Sequence, residues 1–184
     1  MDEAIAFQRA ADGYLARAGD VGGDQWSAST PCADWNVRAL VNHVAGEYLW
    51  VPELMAGKTI AEVGSRLDGD LLADDPHAVL VSACRAAQAA AGQPGAMTCT
   101  VHLSFGDVTG AEYLKQMAID SVIHSWDVAR AVGGDESLDP ELVDFAYAEL
   151  QRVADDWRSG GAFGPAKTPS DDSTQSRLIA LTGR

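Results

Sequence analysis

The chain has 184 residues, 47% hydrophobic and 22% charged, which is the size of one ordinary domain and a balance that excludes disorder as the main state. Thirteen Lys and Arg against 27 Asp and Glu give a formal net charge of −14, a surface that repels phosphate backbones and argues against nucleic-acid binding. No run approaches the roughly 18–20 apolar residues of a membrane helix, so no membrane span is expected. The acidic start Met1-Asp2-Glu3 is unlike a signal peptide. Cys32, Cys84 and Cys99 are odd in number and form no C-x-x-C pair, which excludes a disulfide framework and fits a reducing, cytoplasmic setting.

Residues 2–18 place Phe7, Ala11, Tyr14, Leu15 and Ala18 on one side, the spacing of an amphipathic helix. A loop rich in Gly, Ser and Asp follows and runs into Thr30-Pro31-Cys32-Ala33-Asp34-Trp35. Asn36 is a good N-cap for a second helix. In that helix Val37, Leu40, Val41, Val44, Tyr48, Val51 and Met55 form a core stripe that stops near Gly57. Residues 58–74 read as a polar connection. Asp75-Pro76 opens an Ala-rich third helix over 76–91, and Gly92 to Gly95 ends it. Residues 97–105 alternate and carry β-branched and aromatic side chains, the mark of one short extended segment. Thr109 caps a fourth helix over 110–132, which Gly133-Gly134 stops. Asp139-Pro140 starts a fifth, with Leu142, Ala146, Leu150, Val153 and Trp157 facing inward. The remainder is a Gly, Pro and Ser-rich tail ending in Arg177-Leu178-Ile179-Ala180-Leu181. There is no internal repeat and no domain boundary, so the expectation is a single, mainly all-α domain over 1–184. It is a helical bundle with a strand-like insert and a packed tail.

Four histidines are available. His124 follows Asp120 by four residues, so on one helix the carboxylate and the imidazole lie one above the other and reach a common point. Asp127 continues the same stripe. A carboxylate inside an apolar helix is costly unless positive charge meets it, and a divalent metal would meet it. A hydrogen-bonded pair on a solvated face has the same spacing. His43 lies beside Val44 in the second helix. If the second and fourth helices are neighbours, it completes a facial set of two imidazoles and one carboxylate, as in catalytic zinc and non-haem iron sites; otherwise it is a satisfied core histidine. Glu47, one turn on, is expected to be exposed, with a ligand role as the alternative. His77 and His102 are expected to carry no chemistry, and Cys32 becomes reactive only if a positive group approaches it. No Ser-His-Asp order, phosphate loop or dinucleotide fingerprint is present.

The segment Thr30-Pro31-Cys32-Ala33-Asp34-Trp35-Asn36-Val37-Arg38-Ala39-Leu40-Val41-Asn42-His43-Val44 resembles the opening of the metal-binding domain of mycothiol-dependent maleylpyruvate isomerase and its actinobacterial relatives, members of the DinB-like four-helix bundles. His124-Ser125-Trp126-Asp127-Val128-Ala129-Arg130-Ala131-Val132-Gly133 resembles their second signature. Phe163-Gly164-Pro165-Ala166 with the closing Arg177–Arg184 segment resembles the tail of a single-domain branch. The resemblance implies a divalent metal, usually zinc, on His43, Asp120 and His124; Asp127 is placed behind them, orienting a ligand imidazole, with helix-surface or tail hydrogen bonding as its alternative. The isomerase carries glutamate at the middle position and many DinB-like proteins histidine, where this chain has Asp120. The isomerase also has a second domain for which 184 residues leave no room, so maleylpyruvate isomerisation is not carried over. The broader implied activity is thiol transfer, in which a small-molecule thiol such as mycothiol is activated at the metal and attacks an electrophilic substrate. A metal hydrolase and a non-catalytic metal- or ligand-binding module are the alternatives. Trp50 is a candidate for a substrate wall or a homodimer face.

Overall fold

The computed structural model describes residues 1–184. Seven α-helices are present: α1 (Glu3–Gly19), α2 (Val37–Met55), α3 (Ile60–Val63), α4 (Pro76–Ala91), α5 (Gly110–Val132), α6 (Pro140–Ser159) and α7 (Thr174–Leu181). A hairpin of β1 (Thr100–Leu103) and β2 (Gly106–Thr109) precedes α5. The protein is mainly all-α. No helix is long and apolar enough to cross a membrane.

Local chemistry sets the helix ends. Asp2, Asn36, Thr59, Asp75, Thr109, Asp139 and Ser173 each accept a backbone N–H from the first turn of the helix they precede, satisfying donors that the helix itself leaves free. Pro76 and Pro140 occupy first-turn positions where a missing N–H is harmless. Gly133, at φ 71°, ends α5 in the left-handed conformation.

Four helices form the bundle. α5 and α4 both flank α1, and both also flank α2, so the ring runs α1–α5–α2–α4. α6 packs on α5 and α1, and α7 on α6. The core between them holds Phe7, Tyr14, Leu40, Tyr48, Leu80, Leu114, Ile119 and Ile123, all essentially inaccessible. The Tyr48 ring meets Phe7 and Tyr14 edge-on at 6.0 and 6.3 Å between centroids, the arrangement ring quadrupoles favour. Its hydroxyl shares a 2.9 Å hydrogen bond with the hydroxyl of Ser121 on α5, which ties α2 to α5 where the candidate ligands stand.

Two expectations need correction. The polar connection over 58–74 contains α3 and a 3-10 turn over Gly64–Leu67, and it buries Val63 and Leu72. Of the extended segment expected over 97–105, Thr100–Leu103 is a strand; Ala96–Thr98 form a 3-10 turn before it, and a second strand, Gly106–Thr109, follows where none was expected. Register pairs Leu103 with Gly106 across Ser104-Phe105, and Val101 with Val108. Val101 is buried, and its apolar side anchors the hairpin to the bundle.

Candidate metal centre

α2 and α5 are neighbours, which brings His43 opposite Asp120 and His124. One donor atom from each of the three lies within 4.8 Å of the others. Asp120 stands between the imidazoles, with Oδ1 3.3 Å from His124 Nε2 and Oδ2 3.8 Å from His43 Nε2. The ring centroids of His43 and His124 are 5.2 Å apart. Ligand atoms bound at ~2.0–2.2 Å to one tetrahedral ion stand roughly 3.4 Å apart, so these separations are of the right size. The shorter aspartate side chain reaches both imidazoles.

A buried chain of hydrogen bonds lies behind His124. Its Nδ1–H donates to Asp127 Oδ2 at 2.8 Å, which leaves Nε2 as the nitrogen aimed at Asp120. Asp127 is fully buried and also accepts from the Arg184 guanidinium, from Nε at 3.0 Å and from Nη2 at 2.9 Å. Cys32 completes the group: its thiol donates to Asp127 Oδ2 at 3.3 Å and accepts from Arg184 Nη2 at 3.3 Å. The loop that carries Cys32 is held by Thr30, whose hydroxyl donates to the carbonyl of Trp35 at 2.8 Å. Trp35 packs its ring on His43 at 4.7 Å between centroids.

Two clusters therefore have donor sets for a metal, His43/Asp120/His124 and Cys32/His124/Asp127. Charge balance separates them. In the second, Arg184 already meets the Asp127 carboxylate, and both carboxylate oxygens are used. In the first, Asp120 Oδ2 is buried and has no hydrogen-bond partner, a state that costs free energy unless a cation or proton meets it. Titration follows the same logic. Burial pushes the Asp120 carboxyl up, but His124 and then His43 reverse this and hold it well below the usual carboxylate range. Burial pushes the His124 imidazole down, but Asp120 and Asp127 carry it well above its ordinary value. The pair thus draws positive charge to itself, as a proton or as an ion. The donor set fits a divalent metal on that observation.

Glu47 corrects the expectation of an exposed residue. It is half-buried and lines the same cavity as His43 and Asp120. Burial, then the Asp120 charge, pushes its carboxyl above the usual range. His102 sits apart on the hairpin, paired with Asp107 at 2.7 Å, and His77 opens α4 beside Gly19; neither joins the cluster. Arg184 is the positive group whose approach to Cys32 the local motif did not reveal. Trp50 lines the cavity over His43 and Asp120.

Comparison with known proteins identifies the family. Residues 7–129, which hold all of α2 and Asp120, His124 and Asp127, match the model of the mycothiol maleylpyruvate isomerase N-terminal domain. Two uncharacterized proteins of Mycobacterium tuberculosis, from strains CDC 1551/Oshkosh and ATCC 25618/H37Rv, are each 34% identical to the chain over 191 aligned residues, spanning 100% of it and 98% of their own length. No solved structure matches it significantly. The chain belongs to the mycothiol maleylpyruvate isomerase N-terminal domain family, within the DinB-like superfamily.

Proposed function

We propose that the chain is a metal-dependent thiol transferase, in which His43, Asp120 and His124 hold one divalent ion, zinc by the character of the donors, and a small-molecule thiol such as mycothiol attacks an electrophile. The observation that carries the reading is Asp120 Oδ2, buried and unpartnered between two imidazoles. A divalent metal bound there supplies the Lewis acidity that keeps a thiol deprotonated near neutral pH.

The chain's own residues do the positioning. Asp127 fixes the ring of His124 through Nδ1, and Arg184 balances the buried charge of Asp127. Trp35 holds the ring plane of His43. Tyr113 and Met117, both nearly buried, wall the cavity beside Asp120 and restrict water. In the reaction the thiol gives up its proton to solvent and its sulfur forms a bond to an electrophilic carbon. The electron pair of the bond broken at that carbon leaves with the departing group or, in an addition, takes up a proton. Three protein donors are one short of a closed structural site, which favours turnover over a purely structural ion.

Elemental analysis of the purified wild type and of His124→Ala tests the site. About one ion per chain is expected in the wild type, lost in the variant. The zinc-loaded chain is then expected to conjugate a low-molecular-weight thiol to an electrophile, and His43→Ala to lose that activity. Absence of metal even after reconstitution with excess zinc, or conjugation unchanged in His43→Ala, overturns the reading. Ester hydrolysis independent of added thiol would instead identify a metal hydrolase.

A further inference from the structure

The His43 and Asp120 side chains form a wall between two chambers. One, of about 360 Å³, lies among α2, the hairpin, α5 and α6; the other, of about 570 Å³, opens toward the Pro31–Trp35 loop and the segment at Thr182–Arg184. His43, Asp120 and Trp157 line both. The linings differ in chemistry. The second chamber holds Cys32, Asp34 and Arg184. The first is walled by Trp50, Leu54, Tyr113 and Met117, and no lysine or arginine reaches it. Its ionisable groups besides His43 and Tyr113 are two carboxylates, Glu47 and Asp120.

The mouth of the first chamber is apolar as well. Ile60 and Phe105 are 41% and 71% exposed, two of the four large hydrophobic residues that the chain leaves in water, and both line this chamber. Phe105 sits in a two-residue hairpin turn, where turn chemistry favours Asn, Asp or Gly over phenylalanine. Its presence there has no account in the fold. Apolar walls favour apolar ligands in proportion to the apolar area they take out of water. A carboxylate entering beside Glu47 would lose hydration and meet like charge, and no lysine or arginine lines the chamber to offset it.

We propose that the chamber walled by Trp50, Tyr113 and Met117 is the binding subsite for an uncharged, apolar electrophile, and that Glu47 is the specificity-determining residue that excludes carboxylates from it. That the ligand is an electrophile rests on the thiol-transfer reading; its class rests on the lining alone. Phe105 on the hairpin turn and Ile60 on α3 form the rim over which the ligand enters.

Equilibrium dialysis of the chain as purified against a matched pair of probes, neutral 1-naphthalenemethanol and anionic 1-naphthoate, tests this near neutral pH. The neutral probe is expected to bind about tenfold more tightly or better, a difference of about 1.4 kcal/mol. Trp50→Ala is expected to weaken it several-fold. Phe105→Ser, a change at an exposed turn that leaves the core intact, is expected to weaken it by a smaller factor. Glu47→Gln is expected to narrow the discrimination by admitting naphthoate. Equal or tighter binding of naphthoate by the wild type, or neutral-probe binding indifferent to both Trp50→Ala and Phe105→Ser, overturns the proposal. So does sedimentation showing a dimer that Phe105→Ser dissociates, with no probe bound, since the rim would then be an interface between copies. Failure of the parent reading looks different: a zinc-loaded chain that binds the neutral probe but conjugates no thiol would retain the subsite and lose the transferase.

Discussion

Asp127 shows how much of the site depends on a residue outside the three donors. Its carboxylate is fully buried and meets His124 on one side and Arg184 on the other, whose side chain is 8% exposed. Asp127→Asn keeps the shape but removes the charge, leaving the guanidinium buried without its counter-ion. Breaking a buried pair in this way costs about 3–5 kcal/mol, and urea unfolding of the metal-free variant reads that loss. The same change loosens the hold on His124 Nδ1, and partners of this kind are worth about 10–100-fold in metal affinity. Competition with a chromophoric zinc chelator measures the second effect separately. A variant as stable as wild type and with the same affinity would mean that Asp127 orients nothing. Much of this was legible in the sequence, because Asp120, His124 and Asp127 share one helix face and need only the 3.6-residue period to be placed together. His43 required one further fact, the adjacency of α2 and α5. Arg184 was out of reach: it arrives from 57 residues beyond Asp127, and no local pattern announces a contact across that span. Glu47 was misread because the apolar stripe of Val44, Tyr48 and Val51 placed it toward solvent, whereas α5 and the hairpin leave a cavity on that side rather than open water.

At the scale of elements, α5 carries two of the three donors, and its start is unusually constrained. Thr109 caps it by accepting from the N–H of Glu112 at 3.2 Å. A Cβ on Gly110 would lie 1.8 Å from the carbonyl oxygen of Ala96 and 3.0 Å from Cys99 Sγ, so the turn before the hairpin passes directly against this position. The two neighbouring substitutions should therefore differ in cost. Thr109→Ala forfeits one cap, about 1 kcal/mol, whereas Gly110→Ala forces backbone apart and should cost about 2–3 kcal/mol. Denaturant midpoints at constant m-value decide the order; a Gly110→Ala chain no less stable than Thr109→Ala would show that the Ala96 turn yields freely. The hairpin also explains why its second strand was missed. Gly106-Asp107-Val108-Thr109 holds two residues depleted in strands, and Ser104-Phe105 lacks the Asn-Gly signature of a two-residue turn. The five long helices were read more surely, since an apolar stripe at helical spacing runs through each. α3 and α7 carry caps of the same kind, Thr59 and Ser173, but are too short to show such a stripe and were read as a connection and a tail.

The whole molecule keeps four ionisable groups neutral inside its core, and this fixes how it responds to alkali. Burial is the main cause at each: it pushes Cys84 up to about 12 and holds Tyr14, Tyr48 and Tyr113 well above the ordinary phenol range. In the unfolded chain these groups release protons near pH ~8.5 for the thiol and ~10 for the phenols. The folded chain therefore binds more protons than the unfolded one at high pH. Their contribution is fully present below those values and is lost as pH rises beyond them, by up to roughly 1.4 kcal/mol per pH unit for each group. Stability should be nearly independent of these groups at neutral pH and fall steeply above pH ~10. In a Tyr147→Phe chain the three remaining tyrosines are the buried ones, which makes the test direct. Phenolate absorbance at 295 nm should then appear only together with loss of the helical circular dichroism signal, as one cooperative step. A gradual rise in absorbance near pH ~10 with the helical signal intact would mean that water reaches these hydroxyls. The bundle core beneath Asp120 would then be open, and Tyr113 would be a wetted wall of the cavity rather than a dry one.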